Sequence, residues 1–229
     1  MTHECKGNKL RRAGVFAALA AIGAAIGAAV WWRGRPSACP YALRIWVQVP
    51  HPFITRGRLV QALAADPGQR LLEVGPGTGY YALPIARSLG ATGRLDIFDL
   101  QQEMLDHTMR RAGKAGIANI FPTQGDAELL PYEDQSFDGA YLVTVLGEIP
   151  DQTAALRELL RVLRPGGRLV VGEIFLADPH WVGPKELREQ AAATGFEFER
   201  VDRYGLGHYA VLRRPAANLA QVAGNGGSA

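Results

Sequence analysis

A chain of 229 residues, 48% hydrophobic and 21% charged, is long enough for one α/β domain with a full core and too apolar to be disordered. Its net charge of +3 sits at the N-terminus: Lys6, Lys9, Arg11, Arg12, Arg33 and Arg35 against Glu4 leave +5 in the first 35 residues and −2 in the rest. That distribution excludes a basic nucleic-acid footprint on the domain.

Residues 1–12 form a basic N-terminus. Residues 13–32, "AGVFAALAAIGAAIGAAVWW", carry no charge and as a helix would extend about 30 Å, the thickness of a bilayer's hydrocarbon core. Arginines on both sides and Trp31–Trp32 at the boundary match a membrane anchor, and a cleaved signal peptide is the competing reading. Residues 33–66 form a connector and cap helix, with a helix over Thr55–Ala65 stopped by Asp66-Pro67-Gly68. The two cysteines, Cys5 and Cys39, precede the domain and supply neither a metal cluster nor a disulfide framework, which fits a reducing compartment.

From residue 67 to 214, apolar runs alternate with helical patterns. Strands are expected at Arg70–Val74, Arg94–Phe98, Ile120–Gln124, Phe137–Val145 and Arg168–Glu173. Helices are expected at Tyr80–Leu89, Gln102–Ala115, Asp151–Leu163 and Pro184–Ala193. Two closing strands follow at Phe196–Tyr204 and His208–Arg213. "RPGG" at Arg164–Gly167 reads as a structural turn. Strands separated by single helices imply βαβ units and a mostly parallel sheet. Residues 215–229 read as a disordered tail.

The stretch "LLEVGPGTGYYAL" puts glycines at 75, 77 and 79 directly after a strand, where ligands of open α/β sheets bind. Glycine permits positive φ and lets a ligand lie against bare backbone. The dinucleotide fingerprint G-x-G-x-x-G would need a third glycine where Tyr80 stands. Asp99 ends the second strand, where a carboxylate accepts both ribose hydroxyls. Asp126, followed by Ala127, lies in the loop after the third strand and suits an adenine amino group. Glu73, before the glycines, is placed to order the loop or reach an ammonium group.

The stretches "LLEVGPGTG", "DIFDLQQEML", "GDAELLPYEDQSFDGAYLV" and "LRELLRVLRPGGRLVVGE" together resemble the class I S-adenosylmethionine (SAM)-dependent methyltransferases, in particular the ubiquinone/menaquinone-biosynthesis group. The resemblance implies an α/β, Rossmann-like, seven-stranded, mostly parallel sheet with an antiparallel last strand, here preceded by the N-terminal hydrophobic helix. It also implies SAM as cofactor and S-adenosylhomocysteine as product. By position it implies Glu73, Gly75, Gly77 and Gly79 around the methionine part, Asp99 on the ribose, and Leu100, Asp126 and Ala127 around the adenine. Thr144, ending the fourth strand, borders the methyl donor. Quinone-type members carry an Arg-Asn pair after that strand. Here the stretch reads "LGEIPD", with Gly147 and Glu148, which argues against a quinone.

SAM is already activated, so positioning supplies much of the rate and a base is needed only where the acceptor loses a proton. The candidates are His180 in "DPHW" and Glu148, with Glu173 and His51 behind them. No spacing suits a metal. The expected function is a membrane-tethered SAM-dependent methyltransferase acting on a small apolar or lipid-like acceptor. The charge bias slightly favours an N-terminus inside, but SAM is a cytoplasmic metabolite, so the domain is expected on the cytoplasmic side of a single-pass protein. The alternatives are a non-catalytic SAM-binding scaffold and, further off, an NAD-dependent oxidoreductase. The acidic domain and the lack of an N/D-P-P-Y/F motif disfavour a nucleic-acid methyltransferase.

Overall fold

Val, Ile and Leu fill the central runs flanked by turn residues, and these become the inner strands because both their faces find cover, while the edge strands at Ile120–Gln124 and Glu197–Tyr204 stay partly exposed. The computed structural model describes residues 36–44, 51–175 and 180–216, together with Gly23, Ala24 and Gly27. The strands are β1 (Arg70–Val74), β2 (Arg94–Asp99), β3 (Ile120–Gln124), β4 (Phe137–Val143), β5 (Leu163–Ile174), β6 (Glu197–Tyr204) and β7 (Gly207–Arg213). The helices are α1 (Arg56–Leu63), α2 (Ala82–Leu89), α3 (Gln102–Lys114), α4 (Gln152–Val162) and α5 (Pro184–Thr194). The seven strands form one sheet in the order β3-β2-β1-β4-β5-β7-β6, and β7 runs antiparallel to both its neighbours. This is the expected α/β sheet.

Alternate residues of each strand serve two cores. Leu71, Ile97, Tyr141, Val143, Val170 and Tyr209 face one, covered by α1, α2 and α3. Leu72, Phe98, Leu142, Val171 and Ala210 face the other, covered by α4 and α5. The order reverses between β1 and β4, so the chain leaves the sheet in opposite directions there and a crevice opens at the carboxyl ends.

Several elements differ from the sequence-based expectation, among them β4, which ends at Val143 and not at Val145. Helix α2 begins at Ala82, because Tyr80 and Tyr81 belong to the turn and Tyr81 is its N-cap. Strand β5 begins at Leu163, ahead of the "RPGG" turn: Leu163 pairs with Phe137, the register then jumps to Arg168 opposite Gly139, and residues 164–167 bulge between. Short 3₁₀ turns, not foreseen, form at Tyr41–Leu43 and Leu146–Glu148.

The chain divides into two units, Met1–Pro36 and Ser37–Ala229. In the first, Gly23, Ala24 and Gly27 are helical; the rest of the expected anchor over residues 13–32 lies outside the described residues, as does the tail from residue 217. Among the described residues no helix is long and apolar enough to cross a membrane.

Candidate functional site

The glycine turn follows β1 because only glycine fits its backbone. Gly75, Gly77 and Gly79 have φ of 69°, 53° and 76°, the left-handed region that costs other residues about 1–2 kcal/mol. A Cβ at Gly75 would overlap the Val145 methyls, and one at Gly79 would lie 2.8 Å from both Leu83 and Thr108. Helix α3 fastens the turn from outside: Thr108 Oγ1 donates to the Gly77 carbonyl at 3.0 Å and Arg111 to the Thr78 carbonyl at 2.5 Å. The Gly75 amide is taken by the Phe98 carbonyl at 2.8 Å, locking the turn to β2.

Glu73 sits one residue before the turn on β1 and is 2% exposed. Burial pushes its carboxyl up to about 8, the charge of Asp99 adds to the rise, and the facing Tyr141 hydroxyl opposes it. Neither Glu73 Oε2 nor the Tyr141 hydroxyl makes a hydrogen bond of proper geometry among the described residues. A buried carboxylate with an open acceptor is stabilised by a neutral donor and more strongly by a cation. The α-ammonium of SAM is such a cation, and the bare backbone at Gly75–Gly79 is the cradle a nucleoside sulfonium needs. The residues present therefore fit the cofactor.

Asp99 closes β2. Its Oδ1 accepts from the Gln101 amide at 2.9 Å. Burial raises its carboxyl to about 6, against the pull of the Gln101, Gly77 and Leu100 amides. Leu100 is exposed beside it, with its carbonyl accepting from Gln124 at 3.1 Å. The Asp99 carbonyl takes the Gly125 amide at 3.0 Å, which brings Asp126 and Ala127 to the same edge. Asp126 is exposed and its Oδ1 accepts from the Glu128 amide at 3.0 Å, an Asx turn. Thr144 follows β4 with φ of 56°, an outlier for a β-branched residue. Its amide donates to the Gly172 carbonyl at 2.7 Å. All nine expected cofactor residues thus lie on the carboxyl edge of β1 to β4.

On the far side of the crevice the main chain of His180 packs directly on Gly147, where a Cβ would overlap the His180 carbonyl. This brings His180 and the Leu146–Glu148 turn together, with His180 8% exposed. Glu148 Oε2 accepts from the Cys39 amide at 3.1 Å. Glu173 and His208 are paired across β5 and β7, both buried, and burial brings the His208 imidazole down to about 4. Among the described residues no group of three His, Cys, Asp or Glu is placed to hold a metal ion.

Two features were not found by sequence reasoning. One is a strap, residues 36–44. The Cys39 amide reaches Glu148, the Cys39 carbonyl accepts from Gln101 Nε2 at 2.9 Å, and the Tyr41 amide donates to Gln101 Oε1 at 3.0 Å. The strap thereby links the residues after β2 to those after β4. The other is the fastening of the glycine turn by Thr108 and Arg111; their i, i+3 spacing on one face of α3 was the available signal. A shallow cavity of about 190 Å³ lies at the opposite, amino edge, lined by Gln69, Asp138, Arg168 and Arg213, away from this chemistry.

Residues 51–178 match the family described as the ubiE/COQ5 methyltransferase family. The chain is 36% identical over 115 residues to the ubiquinone/menaquinone biosynthesis C-methyltransferase UbiE of Vibrio cholerae, covering 50% of this chain and 44% of that one. It is 35% identical over 170 residues to an uncharacterised 37.1 kDa protein in a Streptomyces fradiae transposon, covering 72% and 46%. The chain thus spans less than half the length of these relatives. A SAM-dependent methyltransferase structure from Aquifex aeolicus superimposes with a TM-score of 0.70 at 19% identity, covering 77% of this chain and 98% of that one, a likeness of fold. With its glycine turn, buried acid and ribose-side carboxylate in a β3-β2-β1-β4-β5-β7-β6 sheet, the chain belongs to the ubiE/COQ5 methyltransferase family, a class I SAM-dependent group whose cofactor is S-adenosylmethionine.

Proposed function

We propose that this protein transfers a methyl group from SAM to a small apolar or lipid-like acceptor. The observation that carries the reading is Glu73: a buried carboxyl with an open acceptor, one residue from a positive-φ glycine turn. In this reading Glu73 takes the ammonium and Gly75, Gly77 and Gly79 lie under the methionine part. Asp99 accepts the ribose hydroxyls. Leu100, Asp126 and Ala127 border the adenine, and Thr144 borders the reacting end. When bound, SAM supplies a methyl group already activated on a sulfonium, and the chain's own work is to orient it, exclude water and manage the acceptor's proton. His180 and Glu148 flank the acceptor side. Because Glu148 holds the Cys39 amide, its role in this reading is to seat the strap over the crevice.

Relatives in the family are named for ubiquinone and menaquinone biosynthesis. Here Gly147 is pressed against the His180 main chain, so no side chain fits at that position, and Glu148 is spent on the strap. The acceptor we propose is therefore apolar but not a quinone. The length and flanks of residues 13–32 support a single-pass anchor with the domain on the cytoplasmic side, where SAM and membrane-partitioned acceptors meet. The test is transfer from methyl-labelled SAM to a total membrane-lipid extract by the full-length protein in detergent, with calorimetric SAM binding beside it and Asp99→Ala as control. Label in the organic phase, lost in the variant, supports the proposal. SAM binding without label overturns the lipid-like acceptor, and no SAM binding overturns the function.

A further inference from the structure

His51 stands just before α1 and leans over the exit of the glycine turn. Its ring is stacked on Tyr81, with centroids 6.0 Å apart and planes 14° apart, and meets Tyr80 edge-on at 5.3 Å. Those two tyrosines are the first residues past Gly79. The Tyr81 hydroxyl lies 2.6 Å from the carbonyl of fully buried Ile54 and 3.3 Å from His51 Nδ1. A carbonyl only accepts, so the single phenol proton goes to Ile54. The contact with His51 is then attractive only if Nδ1 carries the hydrogen and donates to the phenol oxygen. The other tautomer would set two lone pairs face to face. A neutral imidazole has one N–H, so Nε2 is left bare.

We propose that His51 is the general base of the acceptor side, with Nε2 held as a free lone pair by the Ile54–Tyr81 chain. The inference rests on the methyltransferase reading above and adds the acceptor class: a hydroxyl, enol or carbon acid whose proton must leave. As the acceptor–methyl bond forms and the methyl–sulfur bond breaks with the pair left on sulfur, Nε2 takes the acceptor's proton. The positive charge passes to the imidazolium, which returns the proton to water. Burial lowers the His51 imidazole below its ordinary value, which keeps it neutral near pH 7. The titratable groups around it are Tyr80, Tyr81, Arg56 over the Tyr80 ring at 3.9 Å, and Tyr209, whose hydroxyl donates to the Thr55 carbonyl at 3.3 Å. Tyr81 is a positioning residue, since it acts through His51.

The test is a two-bond proton–nitrogen correlation spectrum of the full-length, histidine-labelled protein in detergent, with His51→Gln to assign the signal. The expected result is an Nδ1–H tautomer at pH 7 that titrates below 6.5 and collapses to a mixed tautomer in Tyr81→Phe. An Nε2–H tautomer, or an imidazolium at pH 7, overturns the proposal. In the label-transfer assay His51→Gln is expected to lose about a hundredfold or more in turnover with SAM affinity unchanged, and a loss under threefold overturns it as well. Absence of SAM binding in the unsubstituted protein would sink the methyltransferase reading instead; the tautomer would still decide the state of His51.

Discussion

Lowering the pH from 7 to 6 is expected to weaken SAM binding about tenfold, through Glu73 alone. Its carboxyl is pushed up to about 8. Roughly one molecule in ten carries the carboxylate at pH 7 and roughly one in a hundred at pH 6. An ammonium group selects the ionised form, so binding must expel the proton, at about 1.4 kcal/mol per pH unit. The α-amino group of SAM, with a usual value near 7.7–8.0, stays charged throughout this window. Asp99, raised to about 6, adds a further factor of about two across the same window and steepens the loss below it. Calorimetry at pH 6.0, 6.5 and 7.0, in two buffers of different ionisation enthalpy, reads both the affinity and the proton count. The expected count at pH 7 is about 0.9 protons released per SAM bound. Glu73→Gln has no proton to lose there, so its binding is expected to be weaker and to keep only the shallow, about twofold dependence of Asp99. A flat profile in the unsubstituted protein, or an unchanged slope in Glu73→Gln, would refute the pairing of Glu73 with the ammonium.

The same shift has a definite sign in the ligand-free protein. Burial raises the folded-state value above the unfolded 4.5, so the folded state holds the proton more tightly. This contribution is complete below pH 4.5 and is lost as the pH rises toward 8. It amounts to roughly 3 kcal/mol between pH 4.5 and 7. Denaturant titrations of Glu73→Gln should lack that decline.

Gly75→Ala must place a side chain at φ 69° and against Val145. A cost of at least about 2 kcal/mol, a fall in Tm of roughly 4–8 °C, and loss of SAM binding are expected, and adding Val145→Ala should restore only part of the stability. Asp99→Asn keeps an acceptor for the Gln101 amide but removes the charge. Calorimetry should show SAM affinity down about 10- to 100-fold with little change in Tm. Glu148→Ala takes the acceptor from the Cys39 amide. Hydrogen exchange across residues 36–44 should quicken several-fold while the sheet amides stay protected; unchanged exchange there would dismiss the strap.

Strands β1 and β3 were legible to the residue, because each is a short apolar or β-prone run between clear breakers. The glycine turn was equally legible, since three glycines at alternate positions have few other uses. What escaped reading depends on contacts between distant residues. Leu163 extends β5 past a Pro-Gly-Gly bulge only because Phe137 waits opposite, and no local period records that. The strap joins Cys39 to Glu148 across 109 residues. Glu148 Oε2 holds the Cys39 backbone amide, a contact that the residue type alone does not announce. The identity of Glu73 was readable but its charge state was not. That state follows from β1 lying between β2 and β4, with Tyr141 directly across the register.

The two buried acids of the central strands are treated differently: Asp96 at the amino edge is matched by arginines, and Glu73 at the carboxyl edge is not. At the amino edge Asp96 is held by Arg70 at 2.9 Å and by Arg94 at 2.7 Å. Arg214 donates to the carbonyls of Leu160, Arg161 and Leu163. Arg161 bonds the Leu130 and Tyr132 carbonyls, Asp134 and Glu158. At the carboxyl edge Thr144 stands in a conformation that costs about 1–3 kcal/mol. Beside it Glu73 Oε2 and the Thr78 and Tyr141 hydroxyls are buried without hydrogen bonds among the described residues. In the proposed reading the ammonium of SAM completes the open Glu73 acceptor at the crevice. At a hundred times its dissociation constant SAM should stabilise the protein by about 2.7 kcal/mol, and in Glu73→Gln a higher concentration should be needed for the same gain.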